Sequence, residues 1–148
     1  MTFPLHPDNG VSRRAVRPDW DTYYLGIAAA VAARADCTRR QVGCVLVGVD
    51  NRVLSTGYNG AAAGAPGCAS AAACPRGRMD GTAVPTRSSY RTGLGTCIAV
   101  HAERNAVDYS RADLAGATAY VTCEPCPDCY ALLSSRGIGA VVWPVGSD

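Results

Sequence analysis

Residues 42–58 read VGCVLVGVDNRVLSTGY, and this stretch decides the fold. Val42 to Val49 is a nearly unbroken apolar run, which is typical of a strand. Asp50-Asn51 is a turn pair, and Arg52 to Tyr58 continues with alternating side chains. The segment therefore predicts an antiparallel hairpin.

Helical periodicity lies on both sides of this hairpin. Asp19 is placed to cap a helix whose apolar side chains recur at helical spacing to about Ala35. Downstream, the pattern predicts a helix over 101–109, a strand over 117–122, a helix over 127–136 and a last strand over 140–143. Strands that alternate with helices imply parallel pairing, so the sequence predicts an α/β layered fold.

The bulk composition narrows the class of protein. The chain has 148 residues, so we expect one domain over 18–148, behind a flexible segment over 1–17 that is rich in Pro, Gly and Arg. It is 48% hydrophobic, and its net charge of +2 gives no broad field that would attract nucleic acid. With no secretion signal and no apolar stretch long enough to span a bilayer, we expect a cytoplasmic protein without a membrane partner.

Cysteine is abundant, with eight residues in the chain. In a reducing compartment this number indicates metal binding rather than disulfides. Three of the eight lie in or just after an insertion over about 60–97, which is rich in Gly, Ala, Pro and Ser and has no clear period. A loop of this length in a compact domain is unusual unless it is functional or held in place.

Two short segments carry the chemistry: His101-Ala102-Glu103, and Pro125-Cys126-Pro127-Asp128-Cys129. Their residue types and order match the signature of zinc deaminases. One imidazole and two thiolates, from His101, Cys126 and Cys129, give a zinc site whose fourth position stays open for water. Glu103 could approach that position and carry a proton from the water to the ring nitrogen and the leaving ammonia. The alternatives are a structural zinc on the Cys pair and a surface position for Glu103.

With these motifs, the sequence resembles the cytidine and deoxycytidylate deaminase superfamily, and most closely its dCMP deaminase branch. The resemblance runs from Arg17 to Trp143 and includes RPDWDTYY at 17–24, QVGCV at 41–45, GYNG at 57–60 and HAERNA at 101–106. It implies a three-layer α/β/α sandwich with a mixed sheet, a zinc site between two helix N-termini, and a homo-oligomer. It also implies substrate contacts from Asn59, Ala102, Thr122 and Glu124; for Asn59 the alternative is a simple turn residue.

Some phage and bacterial members of this branch hold a second, structural zinc, and the resemblance extends to its ligands. They would be four thiolates from the loop before the first strand and from the insertion: Cys37, Cys68, Cys74 and Cys97. The alternative is that these are ordinary thiols. Of the remaining two cysteines, Cys44 lies in the apolar strand and Cys123 beside the expected base pocket.

The function that this resemblance implies is hydrolytic deamination of a cytosine nucleotide, dCMP to dUMP, by a hydrolase acting on a cyclic amidine C–N bond. In it, zinc-activated water attacks the ring carbon that carries the amino group. Candidate phosphate ligands are arginines near the site or in the insertion: Arg76, Arg78, Arg87, Arg91 and Arg104. Alternatives are a nucleoside, a nucleobase or a modified nucleotide as substrate, editing of single-stranded nucleic acid, and a non-catalytic zinc-stabilised binding module. A chain with 7% aromatic residues and no basic stripe argues against nucleic acid.

Overall fold

The computed structural model describes residues 16–85, 88–90 and 95–146. Its elements are helix α1 (Trp20–Ala32), strands β1 (Gly43–Val47) and β2 (Val53–Tyr58), helix α2 (Ala102–Asp108), strand β3 (Thr118–Val121), helix α3 (Pro127–Ser135) and strand β4 (Ala140–Val142). A short 3-10 helix, Arg76–Arg78, lies between β2 and α2. Every predicted helix and strand is present, slightly shorter than predicted. Most of the predicted lead-in over 1–17 lies outside the described residues.

The strands form one mixed sheet in the order β2-β1-β3-β4. β1 pairs antiparallel with both β2 and β3, whereas β3 and β4 are parallel and are connected through α3. The hairpin turn is closed by a hydrogen bond of 2.8 Å from Gly48 N–H to the Arg52 carbonyl. The predicted hairpin and the predicted parallel pairing are both confirmed.

Helices cover both faces of the sheet, so the predicted three-layer α/β/α sandwich is confirmed. All residues of β1 are buried, which explains its continuous apolar sequence. Val45 and Val47 point towards α1 and pack with Tyr24 and Ala28, together with Tyr120 of β3. Cys44 and Leu46, which alternate with them along β1, point to the other face of the sheet and pack against α2 and α3. This larger core consists of Cys44, Leu46, Ala102, Ala106, Val107, Leu114, Ala119, Val121 and Leu133.

Two glycines let the helices approach the strands closely. A Cβ at Gly43 would lie 2.1 Å from the Ala28 carbonyl oxygen of α1. A Cβ at Gly57 would lie 2.2 Å from the Ala102 carbonyl oxygen and 2.3 Å from the Ala106 nitrogen of α2. The absence of a side chain at Gly57 therefore fixes where α2 begins.

The insertion between β2 and α2 is held by side chains from the loop before β1. The Asp36 carboxylate accepts hydrogen bonds from the Ala69 and Ser70 N–H groups. The Arg39 guanidinium donates to the carbonyls of Arg76, Met79 and Asp80. These bonds pin the long loop, as its length led us to expect. In the described part of the chain, no helix is long and apolar enough to cross a membrane.

Candidate zinc site and catalytic cleft

The beginnings of two helices bring His101, Cys126 and Cys129 together. His101 caps α2, and the chain before it is fixed by a bridge between Gly60 and Val100. Cys126 caps α3, whose first residue is Pro127, and Cys129 lies in its first turn. The three side chains form what we call the His–Cys–Cys site.

The geometry of this site fits zinc. The His101 Nδ1 atom lies 3.5 Å from the Cys126 Sγ and 3.4 Å from the Cys129 Sγ. Ideal zinc bonds to nitrogen and sulfur at tetrahedral angles would separate these atoms by roughly 3.5 Å. The three residues are also the one group of potential ligands, among the residues that the structure describes, whose ligand atoms all lie within 4.8 Å of one another. They would hold a three-coordinate metal with one position left for water.

The two thiols of the site are hydrogen-bonded to each other, and both lie against the His101 imidazole. Hydrogen bonds from Cys129 and His101 lower the pKa of Cys126 to about 3. The hydrogen bond with Cys126 and, to a smaller extent, burial raise the pKa of Cys129. The hydrogen bond with Cys126 also raises the pKa of His101. Zinc binds thiolates, so binding of the metal would release the protons of this hydrogen-bonded pair.

Glu103 lies beside this site and is almost completely buried, with 3% of its surface exposed. Burial raises the pKa of its carboxyl group, while a hydrogen bond with Cys129 and the positive charge of His101 act in the opposite direction. The carboxyl is thus adjacent to the metal ligands and poised to exchange protons. Surface exposure, the alternative considered for Glu103, is wrong.

The site opens into a cleft of about 810 Å³. One wall is formed by Tyr90 of the insertion, whose ring lies edge-on to the His101 imidazole at 5.1 Å between centroids and 85° between planes. The Arg76 guanidinium covers the Tyr90 ring at 4.8 Å from its centroid. The insertion therefore contacts His101 of the His–Cys–Cys site through an aromatic ring.

Comparison with known proteins agrees with this geometry. The family model described as "Cytidine and deoxycytidylate deaminase zinc-binding region" matches residues 18–145. This chain belongs to the cytidine and deoxycytidylate deaminase family. It is 57% identical over 129 residues to a deoxycytidylate deaminase of Mycobacterium phage D29, an alignment that covers 86% of this chain and 96% of the phage protein.

More distant relatives share the family with different overall lengths. A deoxycytidylate deaminase of Schizosaccharomyces pombe is 39% identical over 86% of this chain, but the alignment covers only 37% of the yeast protein. Among solved structures, the dCMP deaminase of cyanophage S-TIM5 in complex with dCMP and dUMP superposes with a TM-score of 0.61 at 22% identity, over 86% of this chain and 82% of that one. This similarity confirms the cytidine deaminase-like fold.

Three of the four predicted substrate contacts of this family member line the cleft: Asn59, Ala102 and Glu124. Both polar atoms of the Asn59 side chain already form a hydrogen bond to the backbone: Oδ1 accepts from Val42 N–H and Nδ2 donates to the Arg40 carbonyl, both at 2.8 Å. Thr122 is not among the lining residues, and its hydroxyl accepts from Gly43 N–H at 3.1 Å. Its substrate contact stays a prediction.

The predicted phosphate-binding arginines have other partners or lie elsewhere. Arg104 pairs with Asp108 of its own helix at 2.6 Å. Arg76 is buried and donates to Ser88 and to the Ser89 carbonyl. Arg78 does not line the cleft, and Arg87 and Arg91 lie outside the described residues. The cleft-lining arginines that sequence reasoning missed are Arg39 and Arg40, whose only sequence signal is their place as a pair just before β1.

Cys37, Cys68, Cys74 and Cys97, the four-cysteine group, lie close enough to influence one another. Burial, and then the neighbouring Cys74, Cys97 and Cys37, raise the pKa of Cys68 to about 11. Backbone N–H groups of Arg39 and Arg40 donate to the Cys37 Sγ at 3.4 and 3.5 Å. Among the described residues, however, the group does not meet the 4.8 Å spacing that the His–Cys–Cys site meets. The structure thus brings these cysteines near one another without forming a compact metal site.

Proposed function

We propose that this family member catalyses the hydrolytic deamination of dCMP to dUMP, with Glu103 as the catalytic residue. The observation that carries the proposal is the buried Glu103 carboxyl beside a His–Cys–Cys site at the bottom of a nucleotide-sized cleft. The relatives named deoxycytidylate deaminase support the choice of substrate. The family match over residues 18–145 supports a single catalytic domain over 18–148.

The metal ligands of this enzyme are His101 through Nδ1, and Cys126 and Cys129 through Sγ. Their spacing and the thiolate character of Cys126 support this assignment. When bound, zinc lowers the pKa of a water ligand to about 7 and so supplies a nucleophile at neutral pH.

Glu103 moves the protons of the reaction. Its carboxylate takes a proton from the attacking water and delivers it to the ring nitrogen next to the carbon under attack. It then takes the second proton of the water and delivers it to the amino group, which leaves as ammonia. A buried carboxyl with a raised pKa suits this role, because it binds and releases a proton at similar cost.

The substrate lies in the cleft between the loop before β1, the N-termini of α2 and α3, and the insertion. Asn59 keeps one amide proton and one lone pair for the sugar after its two backbone bonds. Ala102 and Glu124, which line the cleft, contact the base, and so does Thr122, whose hydroxyl also accepts from Gly43 N–H.

The four-cysteine group binds a second, structural zinc. Support comes from the burial of Cys68 and Cys74, and from backbone N–H groups that donate to Cys37 and lower the pKa of Cys74 against the effect of burial. Such N–H groups stabilise thiolates. Binding would draw the four sulfurs to the spacing of a closed tetrahedral site.

The enzyme is a homo-oligomer. Trp20 and Tyr23 of α1 remain 56% and 48% exposed although aromatic side chains of this size are usually covered. Light scattering of the purified protein should give a mass of at least a dimer, and a monomer at all concentrations would contradict this.

The enzyme works in the cytoplasm. All eight cysteines are free thiols, a state that a reducing compartment preserves.

The decisive experiment follows ammonia release from a substrate panel by the zinc-loaded protein. The panel contains dCMP, CMP, deoxycytidine, cytosine, guanine, adenosine and short single-stranded DNA. We expect dCMP to be the best substrate, and Glu103→Gln to lower its turnover by about 10²- to 10⁴-fold, the usual contribution of a general acid–base group. The variant should retain its zinc and its melting temperature. Turnover of another substrate with none of dCMP would overturn the substrate, and full activity of Glu103→Gln would overturn the catalytic role.

A further inference from the structure

Three arginines line the described part of the cleft: Arg39, Arg40 and Arg76. They are its fixed positive charges, since the chain contains no Lys. The cleft also holds the carboxyl groups of Glu103, Glu124 and Asp128. A guanidinium that faces the cleft and keeps donors available could hold a dianionic phosphate in such a place.

Arg39 and Arg76 have most of their donors committed to the insertion. Arg39 donates to three carbonyls of residues 76–80 at 3.1 to 3.3 Å. Arg76 is 5% exposed, donates to Ser88 and Ser89 at 2.8 to 3.2 Å, and stacks on Tyr90. Both side chains hold the loop together, so moving either to a ligand would undo several hydrogen bonds.

Arg40 differs from both. Its side chain is exposed, and its guanidinium lies within hydrogen-bonding reach of the Cys123 thiol. Among the residues that the structure describes, this guanidinium has no hydrogen bond to a carboxylate or a carbonyl. Its backbone is fixed, because its carbonyl accepts from Asn59 Nδ2 at 2.8 Å and its N–H donates to the Cys37 Sγ at 3.5 Å. Arg40 therefore combines a fixed backbone with guanidinium N–H groups that are available to a ligand.

The position of Arg40 relates it to the catalytic centre. Burial raises the pKa of Cys123, the hydrogen bond and charge of Arg40 lower it, and the charges of Glu103 and Cys126 raise it, so this thiol lies near all three residues. The charge of Arg40 also acts to lower the pKa of Tyr90, another residue that lines the cleft. Arg40 therefore lines the same cleft as Glu103 and the His–Cys–Cys site, and Asn59 lines it as well.

We propose that Arg40 binds the 5′-phosphate of the substrate and so makes the enzyme select nucleoside monophosphates over nucleosides. The forked guanidinium matches two phosphate oxygens, and its charge offsets the repulsion from the acidic groups of the cleft. This assignment rests on the proposed deaminase function and names the group that determines its substrate class.

The test compares Arg40→Ala and Arg40→Lys with wild-type enzyme on dCMP and on deoxycytidine, which lacks the phosphate. We expect Arg40→Ala to lower kcat/KM for dCMP by about 10- to 150-fold, the loss typical of hydrogen bonds to a charged group. The value for deoxycytidine should stay unchanged, and Arg40→Lys should recover part of the loss. Arg52→Ala, which removes an exposed arginine of the β1–β2 turn, is the matched control and should leave both substrates unaffected. An equal loss on both substrates, or no loss on dCMP, would overturn the proposal.

Measuring the binding of dUMP and deoxyuridine tests the role of Arg40 independently of the proposed deaminase activity. Arg40→Ala should weaken binding of dUMP by a similar factor and leave binding of deoxyuridine unchanged. If the wild-type protein deaminates neither dCMP nor deoxycytidine, the proposed function fails, and the dUMP comparison still decides the role of Arg40. Equal binding of dUMP by Arg40→Ala and wild type would overturn that role.

Discussion

The His–Cys–Cys site and the four-cysteine group use the same side-chain chemistry on very different supports. His101, Cys126 and Cys129 stand at the beginnings of α2 and α3, which pack on the sheet through a dry core. The four-cysteine group is carried by loops around the insertion. Only the first has the spacing of a metal site in the described protein.

This difference shows what regular structure contributes to a metal centre. Helix starts that are fixed by packing place ligands before a metal arrives, whereas loops leave ligands near one another and need the metal to order them. A preformed site suits a catalytic metal, since its ligands must not rearrange during turnover. A site completed by its metal suits a structural one.

The largest expected effect comes from disturbing the rigid support. In Gly57→Ala, the new Cβ would collide with backbone atoms of α2, which cannot move without shifting His101 and Glu103. We expect a loss of about 1–3 kcal/mol in the free energy of unfolding, and about a 10²-fold loss of dCMP turnover if the displacement reaches about 1 Å.

Gly26→Ala is the matched control, measured by thermal unfolding and by the same assay. No atom lies within 4 Å of a Cβ at Gly26, which is in the middle of α1. Alanine there should stabilise the helix by roughly 0.5–1 kcal/mol and leave activity unchanged. Equal behaviour of the two variants would contradict the role of close packing at Gly57.

A smaller effect is expected at Tyr90, which links the two regions. Its ring contacts His101, and its carbonyl accepts a hydrogen bond from Cys97 N–H at 3.1 Å. Tyr90→Leu should lower kcat/KM for dCMP by about 3- to 10-fold, which matches the loss of an aromatic contact of roughly 0.5–1.5 kcal/mol. Tyr90→Phe, which keeps the ring, should retain most of the activity. If Tyr90→Phe lost as much activity as Tyr90→Leu, the hydroxyl rather than the ring would be what matters.

The smallest effect is expected outside both regions. Arg104 is 55% exposed and pairs with Asp108 one turn along α2. Such surface pairs contribute about 0.3–0.5 kcal/mol. Arg104→Ala should therefore leave KM for dCMP unchanged and barely alter the melting temperature. A large rise in KM for dCMP would instead indicate that Arg104 binds the phosphate of the substrate.

Much of the fold and the metal site could be predicted because their signals are local in sequence. The apolar run at 42–49 predicts a strand buried on both faces, and helical spacing from Trp20 predicts α1. His101 with Glu103, and Cys126 with Cys129, are separated by two and three positions, so one turn of backbone brings each pair together.

The walls of the cleft could not be predicted in the same way. The insertion has no period, and its path is set by contacts such as Arg39 with the carbonyls of residues 76–80. The sequence therefore favours Arg76 as a phosphate ligand although it is buried against Tyr90, and it gives no sign that Arg39 and Arg40 line the cleft. Hydrogen bonds of this kind join side chains to backbone groups far away in the chain, so they produce no regular residue pattern in the sequence.

The most direct test of the account measures zinc content and dCMP turnover together in three proteins: wild type, Cys126→Ser and Cys74→Ser. The account predicts two zinc ions per wild-type chain and one in each variant. Cys126→Ser should lose turnover and keep its fold, whereas Cys74→Ser should melt several degrees lower and keep measurable turnover. A single zinc in the wild-type protein would contradict the structural site, and turnover by Cys126→Ser at the wild-type rate would contradict catalysis at the His–Cys–Cys site.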